Sequence, residues 1–557
     1  MVPPPACGPV TGWWTPEGSL PPAVGDAAVV RGVHDVSRPV QLVEVDGRVG
    51  VTHDGVVTLG AATPPAGDSL PLLGYAPALS PDRLGDPTFR ARHGLEYAYV
   101  AGAMANGIGS VEIVVAMARA GMIGFFGAAG LPVDRVATAV DRIQQRVGDL
   151  PYGFNLIHSP HEPQTEAAAV DLYLRRGVRL VSASAYIELT LPLVRYRVAG
   201  ITRDANGTVV TPNQVIAKVS RIEVARKFFS PPPAEMLQTL VAEGFITPDQ
   251  ARMAAEIPVA ADLTAEADSG GHTDNRPAIT LIPTMLALAE RMQAEYGYAQ
   301  ELRVGAAGGI ATPASAAAAL AMGAAYVLTG TINQACVEAG TSETVRRMLA
   351  EASQADVTMA PAADMFEMGV NVQVLKWGTM FAIRARKLYG LYRAHASLDE
   401  IPAGPRGLLE RDYFRCTLDE AWASTRDFFA TRDPRQIERA ERDPKHKMAL
   451  VFRSYLGRSS GWANAGEPTR KADYQIWCGP AMGAFNEWAR GSQLESPEHR
   501  DVATVGMNLL VGAAALTRAG WLRAQGVTLP ASAGRFAPRS RAELDTLVTA
   551  ERSEPTP

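Results

Sequence analysis

Cysteine is scarce in this 557-residue chain, positive charge is not in excess, and no long apolar run occurs. The four cysteines, Cys7, Cys336, Cys416 and Cys478, lie far apart. Without a Cys-x-x-Cys pair, neither a disulfide framework nor a tetrahedral zinc centre finds its ligand spacing. The expectation is four buried or half-buried thiols in a reducing cytoplasm. Lys and Arg number 53 against 58 Asp and Glu, for a formal net charge of −5. A general nucleic-acid binder needs the opposite balance, because its surface must neutralise phosphates. No uninterrupted apolar run reaches the roughly 18 residues of a membrane-crossing helix. The opening MVPPPACGPV lacks the basic region and apolar core of a secretory leader, so a cytoplasmic location is expected.

What is present is an ordinary globular composition, 47% hydrophobic and 20% charged, in a chain too long for one ordinary domain. Residues 1–84 are rich in Pro and Gly. They carry short β-branched runs and two Asp-Gly turns, at Asp46 and Asp54, which predict a small β-rich unit. From about 98 to 331 a strand, a helix and a glycine recur. In SVEIVVAMARAG, Ser110 can cap a helix with Ile113, Val114 and Met117 on one face, and Gly121 suits its left-handed end. Strand candidates fall at 98–103, 122–127, 152–157, 178–184, 214–220, 263–268, 302–307 and 325–330. Eight parallel strands with intervening helices predict an α/β fold, a (β/α)8 TIM barrel over 85–365. The alternative, an open doubly wound sheet, needs a dinucleotide fingerprint that AGAMANGIGS does not supply.

A helical insertion, about 222–262, separates strands five and six, with Thr247 and Pro248 starting one of its helices. It is either a lid over the active-site face or a structural excursion. Beyond 365 the rhythm stops. Residues 366–535 read as a helical domain, beginning with one long helical segment, MFEMGVNVQVLKWGTMFAIRARKLYGLYRAH. Residues 536–557 read as a weakly ordered tail.

Candidate site residues cluster at predicted strand ends. Strand seven ends in Ala306, Gly308 and Gly309, followed by Thr312 as a cap and Pro313 at the first helical position. Strand eight ends in Gly330 and Thr331. Free amides at these two loops form the usual phosphate site of such barrels, and one cradle fits a mononucleotide. Asn155, ending strand three, either reads the edge of a flat heterocycle or bonds a loop carbonyl. His158 and His161 have too few neighbouring ligands for a metal site. Lys218, inside the apolar strand VIAKVSR, is expected to meet an anion or a ring unless it snorkels to solvent. Asp268-Ser269-Gly270-Gly271-His272 ends strand six. Its glycines let the backbone approach a bound planar ring, and His272 faces what reacts there.

The segments AGAMANGIGS, GFNLIHSP, EADSGGH, GAAGGI and YVLTGT together resemble the nitronate monooxygenase superfamily of FMN barrels, which includes flavin enoyl-acyl-carrier-protein reductases. VNVQVLKWGTMFAIRARKLYGLY, DPKHKMALVFRSYLG and DYQIWCGPAMGAFNEW are similar to the PfaD family. These are trans-acting enoyl reductases of trans-acyltransferase polyketide synthases and polyunsaturated fatty acid synthases. The resemblance implies FMN as cofactor, NADPH as hydride source and an enoyl thioester on an acyl carrier protein as substrate. It implies cofactor contacts at Ala103, Met104, Asn155, Lys218, Ser269, Gly270, Gly271 and Ala306, and phosphate contacts at Gly308, Gly309, Gly330 and Thr331. His272 matches the histidine that nitronate-oxidising members use as a base. Here His272, with Lys218, is expected to orient the thioester carbonyl or protonate the α-carbon, or His272 only packs. Lys445, Lys447, Arg453, Arg470 and Lys471 are expected to receive the carrier protein, against the alternative of an ordinary charged face. Two other functions compete: a nitroalkane-oxidising flavin enzyme, and a non-catalytic docking component of a synthase.

Overall fold

Eight short parallel strands close into a barrel in a computed structural model that describes residues 8–548, except 19, 61, 62, 66 and 159–162. Cys7 and His161 lie outside the described residues. The barrel strands are Tyr99–Ala101, Ile123–Phe126, Gly153–Ile157, Leu180–Ser184, Gln214–Val219, Asp262–Glu266, Arg303–Ala307 and Val327–Thr329. Each falls on a predicted strand, and strand eight pairs with strand one, Leu328 opposite Val100, to complete the ring. Strand alternation decides the two faces. Val100, Ile123, Phe125, Ile216 and Leu328 fill the interior, while Leu156, Val181, Leu263 and Val304 pack outward on the helices.

The base of the barrel is plugged by the helix Pro87–His93, which Asp86 caps. Phe89 stacks on Tyr326 with ring centroids 4.1 Å apart. Beside them Asp262 is buried between His93 and Arg303. His93 Nε2 lies 2.9 Å from one carboxylate oxygen, and Arg303 Nε donates to the other at 2.6 Å. Burial alone would push the Asp262 carboxyl up. The His93 bond and the Arg303 charge outweigh it, and the group falls to about 2.

The insertion between strands five and six is not a lid. Its first helix, Ile222–Phe229, is the ordinary barrel helix, and Ala234–Ala242 and Pro248–Ala254 follow from its far end. These two pack against the helix Leu191–Val198, and Arg203 Nη2 bonds Glu256 Oε1 at 2.5 Å. A helix leaving a strand at the mouth runs back toward the base, so an excursion after that helix ends up on the outer flank.

Residues 12–76 hold a six-stranded sheet and the helix Asp26–His34. Asp46 and Gly47, both at positive φ, close the hairpin between Val40–Val45 and Arg48–Thr52. Asp54–Gly55 closes none, because Val56–Leu59 pairs with Gly12–Thr15 instead. This unit shares its core with Ala519 and Leu522 of the long helix Val502–Ala524. The buried Arg518 of that helix donates to the carbonyls of Val33, Asp35 and Arg38. The same helix packs on the barrel helix Pro313–Ala321.

Two readings of the C-terminal third need correction. The segment expected to be one long helix contains the strand Asn371–Leu375 and is helical only over Phe381–Ala394. NVQVL alternates with period two, and Gly378 at φ +71° breaks the chain between the elements. The expected tail is packed in part: Arg541–Val548 is a helix with Leu544 buried, and Trp488 Nε1 donates to the Phe536 carbonyl at 2.7 Å.

Asp262→Asn is expected to leave the buried Arg303 guanidinium without its counter-charge and to cost about 3–5 kcal/mol. The folded group lies below its ordinary 3.8, so its contribution is full above that value and fades as pH falls toward about 2. Melting of both proteins across pH checks this: a gap that is large at neutrality should shrink below about pH 4.

Candidate active site

All the mouth residues surround one cavity of about 930 Å³. On one side, strands seven and eight end in open glycines. Gly308, at φ +82°, is required by the protein itself, since a Cβ there would lie 2.5 Å from the Ala267 carbonyl carbon. Gly309 and Gly330 differ: a Cβ at either would meet open space. Among the described residues, no protein acceptor is paired with the N–H groups of Gly309, Gly330 or Thr331. The amides of Ala311 and Thr312 are used, both donating to Ser315 Oγ at 3.0 Å. The result is a backbone cradle with open donors and no carboxylate among its residues, which fits a phosphate. Ala306 does not belong to it. It faces outward into the helix layer, and its neighbour Ala307 faces the cavity.

Ala103 and Met104 line the cavity after strand one. Their loop is held tightly, because Gly127 approaches the Met104 carbonyl so closely that a Cβ would lie 1.6 Å from it. Asn155 lines the wall, but its amide nitrogen is used, donating to Ser182 O at 3.1 Å and Ser184 Oγ at 3.3 Å. Lys218 meets its anion within the chain: Nζ lies 2.6 Å from Oε1 of Glu266 on the next strand, and Ser269 Oγ bonds the same oxygen at 3.1 Å.

The stretch Gly270-Gly271-His272 is a strand edge. Gly271 and His272 pair with Gln373 and Val372 of the strand Asn371–Leu375, which also pairs with Val357–Pro361. The need for glycine at 270 comes from protein backbone, since a Cβ would lie 3.0 Å from the backbone of Cys478 and Gly479. Gly479 answers in kind, its Cβ position being 2.8 Å from Gly270 N. At Gly271 a Cβ would touch the Trp477 indole at 3.9 Å. His272 Nε2 lies 3.2 Å from Asp364 Oδ1. Burial opposes its charge, but the Asp364 bond and field prevail, and the imidazole is held above its ordinary value. Asp364, half-exposed, is partly desolvated at the cavity, yet His272 holds it below the usual carboxylate range.

The roof comes from two helices. Thr425, Phe428, Phe429 and Arg432 form one face of Leu418–Arg432, and Leu450, Arg453, Ser454 and Gly457 one face of Pro444–Ala465. Asn106 Nδ2 donates to Ser460 Oγ at 2.8 Å, tying the first barrel loop to the roof.

The five expected docking residues do not form one surface. Lys445 is used internally: it bonds the carbonyls of Tyr392 and His395 at the end of a helix and lies 4.2 Å over the Tyr392 ring. Arg470 is bound to the Tyr413 and Phe414 carbonyls and to Asp473. Arg453, which lines the cavity, pairs with Glu367 at 3.2 Å. Lys447 lies 5.4 Å over Trp422, and of the five Lys471 alone is exposed. Sequence reasoning also missed Glu266 and Asp364. Glu266 was legible as a carboxylate ending strand six beside Lys218. Asp364 carried no local signal, because it reaches the mouth from a distant loop. Cys336 and Cys478 are buried and Cys416 is half-buried.

Residues 90–382 match the family described as nitronate monooxygenase. The chain belongs to this family. The family places it among the oxidoreductases. Residues 395–474, which supply the roof, match the inserted helical domain of [acyl-carrier-protein] S-malonyltransferase. The chain is 48% identical over 447 residues to one of the polypeptides of the polyunsaturated fatty acid synthase of Thraustochytrium sp., covering 79% of this chain and 30% of that protein. It is 46% identical over 439 residues to polyketide biosynthesis protein PksE of Bacillus subtilis, covering 79% of this chain and 57% of that one. It thus spans less than two thirds of either relative. The enoyl reductase domain of MlnA from the macrolactin cluster of Bacillus amyloliquefaciens has the same architecture. The TM-score is 0.75 at 40% identity, covering 80% of this chain and 99% of that domain.

Within this family member the Gly270–Gly479 contact should be sensitive. Gly270→Ala and Gly479→Ala each force two backbones apart. Each is expected to lower the melting temperature by several degrees and to speed proteolysis within 395–474. Substitution at Gly461, where a Cβ meets open space, serves as the control and should do little.

Proposed function

We propose that the protein is an FMN-dependent enoyl reductase acting in trans. It uses NADPH to saturate the α,β double bond of an enoyl thioester on an acyl carrier protein of a polyketide or polyunsaturated fatty acid synthase. The observation that carries this reading is the pairing of a phosphate-fitting cradle with a roof whose match is to a carrier-protein transferase. FMN, when bound through Gly309, Gly330 and Thr331, would supply the two-electron redox chemistry.

The chain's own residues do the rest. The roof helices line the cavity over the barrel mouth. Reduction at the β-carbon builds negative charge on the thioester oxygen, where a positioned donor stabilises it. His272 is that donor. Asp364 raises the pKa of its imidazole and so favours the protonated form, which can bond the oxygen or deliver a proton to the α-carbon. Lys218, paired with Glu266, orients its neighbours and supports the same developing charge. Lys471 and Lys447 are the docking residues that the geometry leaves available to a carrier protein. The family match over 90–382 favours a second reading, nitroalkane oxidation with oxygen as acceptor. Anaerobic reoxidation of NADPH-reduced protein by crotonyl-pantetheine separates the two, since an oxidase would not respond to the enoyl thioester.

Gly330→Val tests the cradle. The backbone there, at φ −130° and ψ −73°, lies outside the regions that L residues favour, although the side chain enters open space. The variant should purify largely colourless with an unchanged circular dichroism spectrum, and full yellow colour would remove the phosphate from this loop.

His272→Ala should keep its flavin and its reduction by NADPH. It should slow the enoyl-dependent step by roughly two or more orders of magnitude, the usual size of an acid–base contribution. Asp364→Asn lowers the His272 pKa, so the alkaline limb of the pH–rate profile should move to lower pH. An unmoved limb assigns His272 a packing role.

A further inference from the structure

The helix Phe381–Ala394, FAIRARKLYGLYRA, carries basic side chains and no acidic one. Arg384 is paired with the buried Asp473. Arg386 and Lys387 are exposed and, among the described residues, meet no carboxylate; Arg386 Nε donates to the Ala382 carbonyl of its own helix at 3.1 Å. The chain as a whole has more acids than bases, 58 against 53, and neighbouring surface cations are paired, Arg406 with Glu410 and Arg411 with Asp412. A helix face with cations and no counter-charge therefore stands apart.

The same face is apolar at its start. Met380 and Ile383 are 45% and 57% exposed, and Trp377, just before the helix, is 42% exposed. Met380, Ile383, Lys387 and Gly390 follow at spacings of three and four, which puts them on one side. Lys471 adjoins the start of the helix, since the Met380 N–H donates to the Ala472 carbonyl at 2.8 Å, and Lys471 is exposed. Large apolar side chains left in water beside unpaired cations mark a contact surface. Gly390 points the same way. Glycine inside a helix weakens it, and the protein does not need it there, because a Cβ would meet open space. On an exposed face, the missing side chain lets another backbone come close.

The helix is also joined to the site. Asn371 and Val372 line the cavity, and their strand, Asn371–Leu375, leads out to Trp377. From Val372 to Leu375 it spans roughly 10 Å at about 3.3 Å per residue, a distance that an extended pantetheine arm covers.

We propose that this face docks the carrier protein, with an acidic and partly apolar helix of the carrier lying along Met380, Ile383, Lys387 and Gly390 and its carboxylates meeting Arg386, Lys387 and Lys471. The proposal rests on the enoyl reductase reading. Carrier proteins present acidic surfaces, so the charges are complementary. An anionic lipid surface offers the same charge, but it gains nothing from Gly390 and has no arm to send to the cavity.

The probe is an acyl carrier protein domain of a polyunsaturated fatty acid synthase, loaded as its crotonyl thioester for turnover and as its butyryl thioester for binding by calorimetry. Crotonyl-pantetheine is the free substrate. Ile383→Glu and the double variant Arg386→Glu/Lys387→Glu should each raise KM for the carrier-bound substrate about tenfold or more, with kcat and the turnover of crotonyl-pantetheine kept within about twofold. The effect of charge reversal should shrink at high salt. Gly390→Leu should melt at a higher temperature, because leucine favours the helix, and still raise KM for the carrier-bound substrate. Equal losses on both substrates, or carrier kinetics indifferent to all three variants, overturn the docking face and leave the reductase intact. No turnover of either thioester, with an affinity for the butyryl carrier that falls in the variants, overturns the reductase and keeps the face. A native dimer that Ile383→Glu splits in sedimentation, with carrier kinetics unchanged, gives the face to a second copy of the chain and overturns the proposal. Binding to phosphatidylserine vesicles that the variants lose, with carrier kinetics again unchanged, gives it to a lipid surface and overturns the proposal too.

Discussion

Two glycines, Gly270 and Gly479, touch backbone to backbone, and the site is built around that contact. Neither position has room for a methyl group. The contact brings the end of barrel strand six under the segment that follows the roof helices, and the pairing of Gly271 and His272 with Gln373 and Val372 extends it into a small sheet. Gln373 adds side-chain bonds to Asp268 and to the Ser269 carbonyl, at 2.8 and 2.7 Å. The cavity is therefore bounded by a rigid joint rather than by a free loop. His272 projects from a strand whose partner also sets the course of the chain beyond Asp364, so the imidazole and its carboxylate are positioned by one element.

The same economy governs the charges. At the base, Asp262 is saturated by His93 and Arg303 and holds the plug in place. At the mouth, Lys218–Glu266 and His272–Asp364 are pairs of one cation and one anion at half-exposed positions. A fully buried triad is costly to break and suits architecture, whereas pairs reachable from the cavity can exchange partners with a ligand. A lysine within an apolar strand was legible as something needing an anion. That the anion is Glu266, one strand over, follows from parallel register, which places Lys218 opposite Thr264.

Most of the barrel was legible because its signals are local. Eight apolar strands, Ser110, Thr247 and Thr312 as caps, and the Gly at each helix end need no distant partner to be read. Readings fail where distant packing decides. Ala306 and Ala307 are the same residue type, and only the closed ring tells which faces the mouth. NVQVL looks helical inside a helix-rich stretch until a partner edge at 271–272 makes it a strand. Lys445 and Arg470 look like a docking face because charge is visible in a sequence, whereas the carbonyls that use them are not. Gly270 reads, in the sequence, as making room for a ligand. A glycine pair says only that something comes close, and here it is residues 478–479.

A barrel of this kind would, on its own, present an open mouth over its cradle. The roof module covers that mouth, and it reaches the site through contacts that begin on the barrel's own loops, at Asn106 and at Gly270. Closure from above leaves the exits to be settled elsewhere. The phosphate-fitting side is enclosed by the glycine loops of strands seven and eight, and the far wall is closed by the packed core residues Val136, Leu156 and Tyr173. A ligand entering under the roof thus meets open backbone amides on one side and, at the centre, a lysine already held by a carboxylate, so binding at the centre competes with an internal ion pair while binding at the cradle does not.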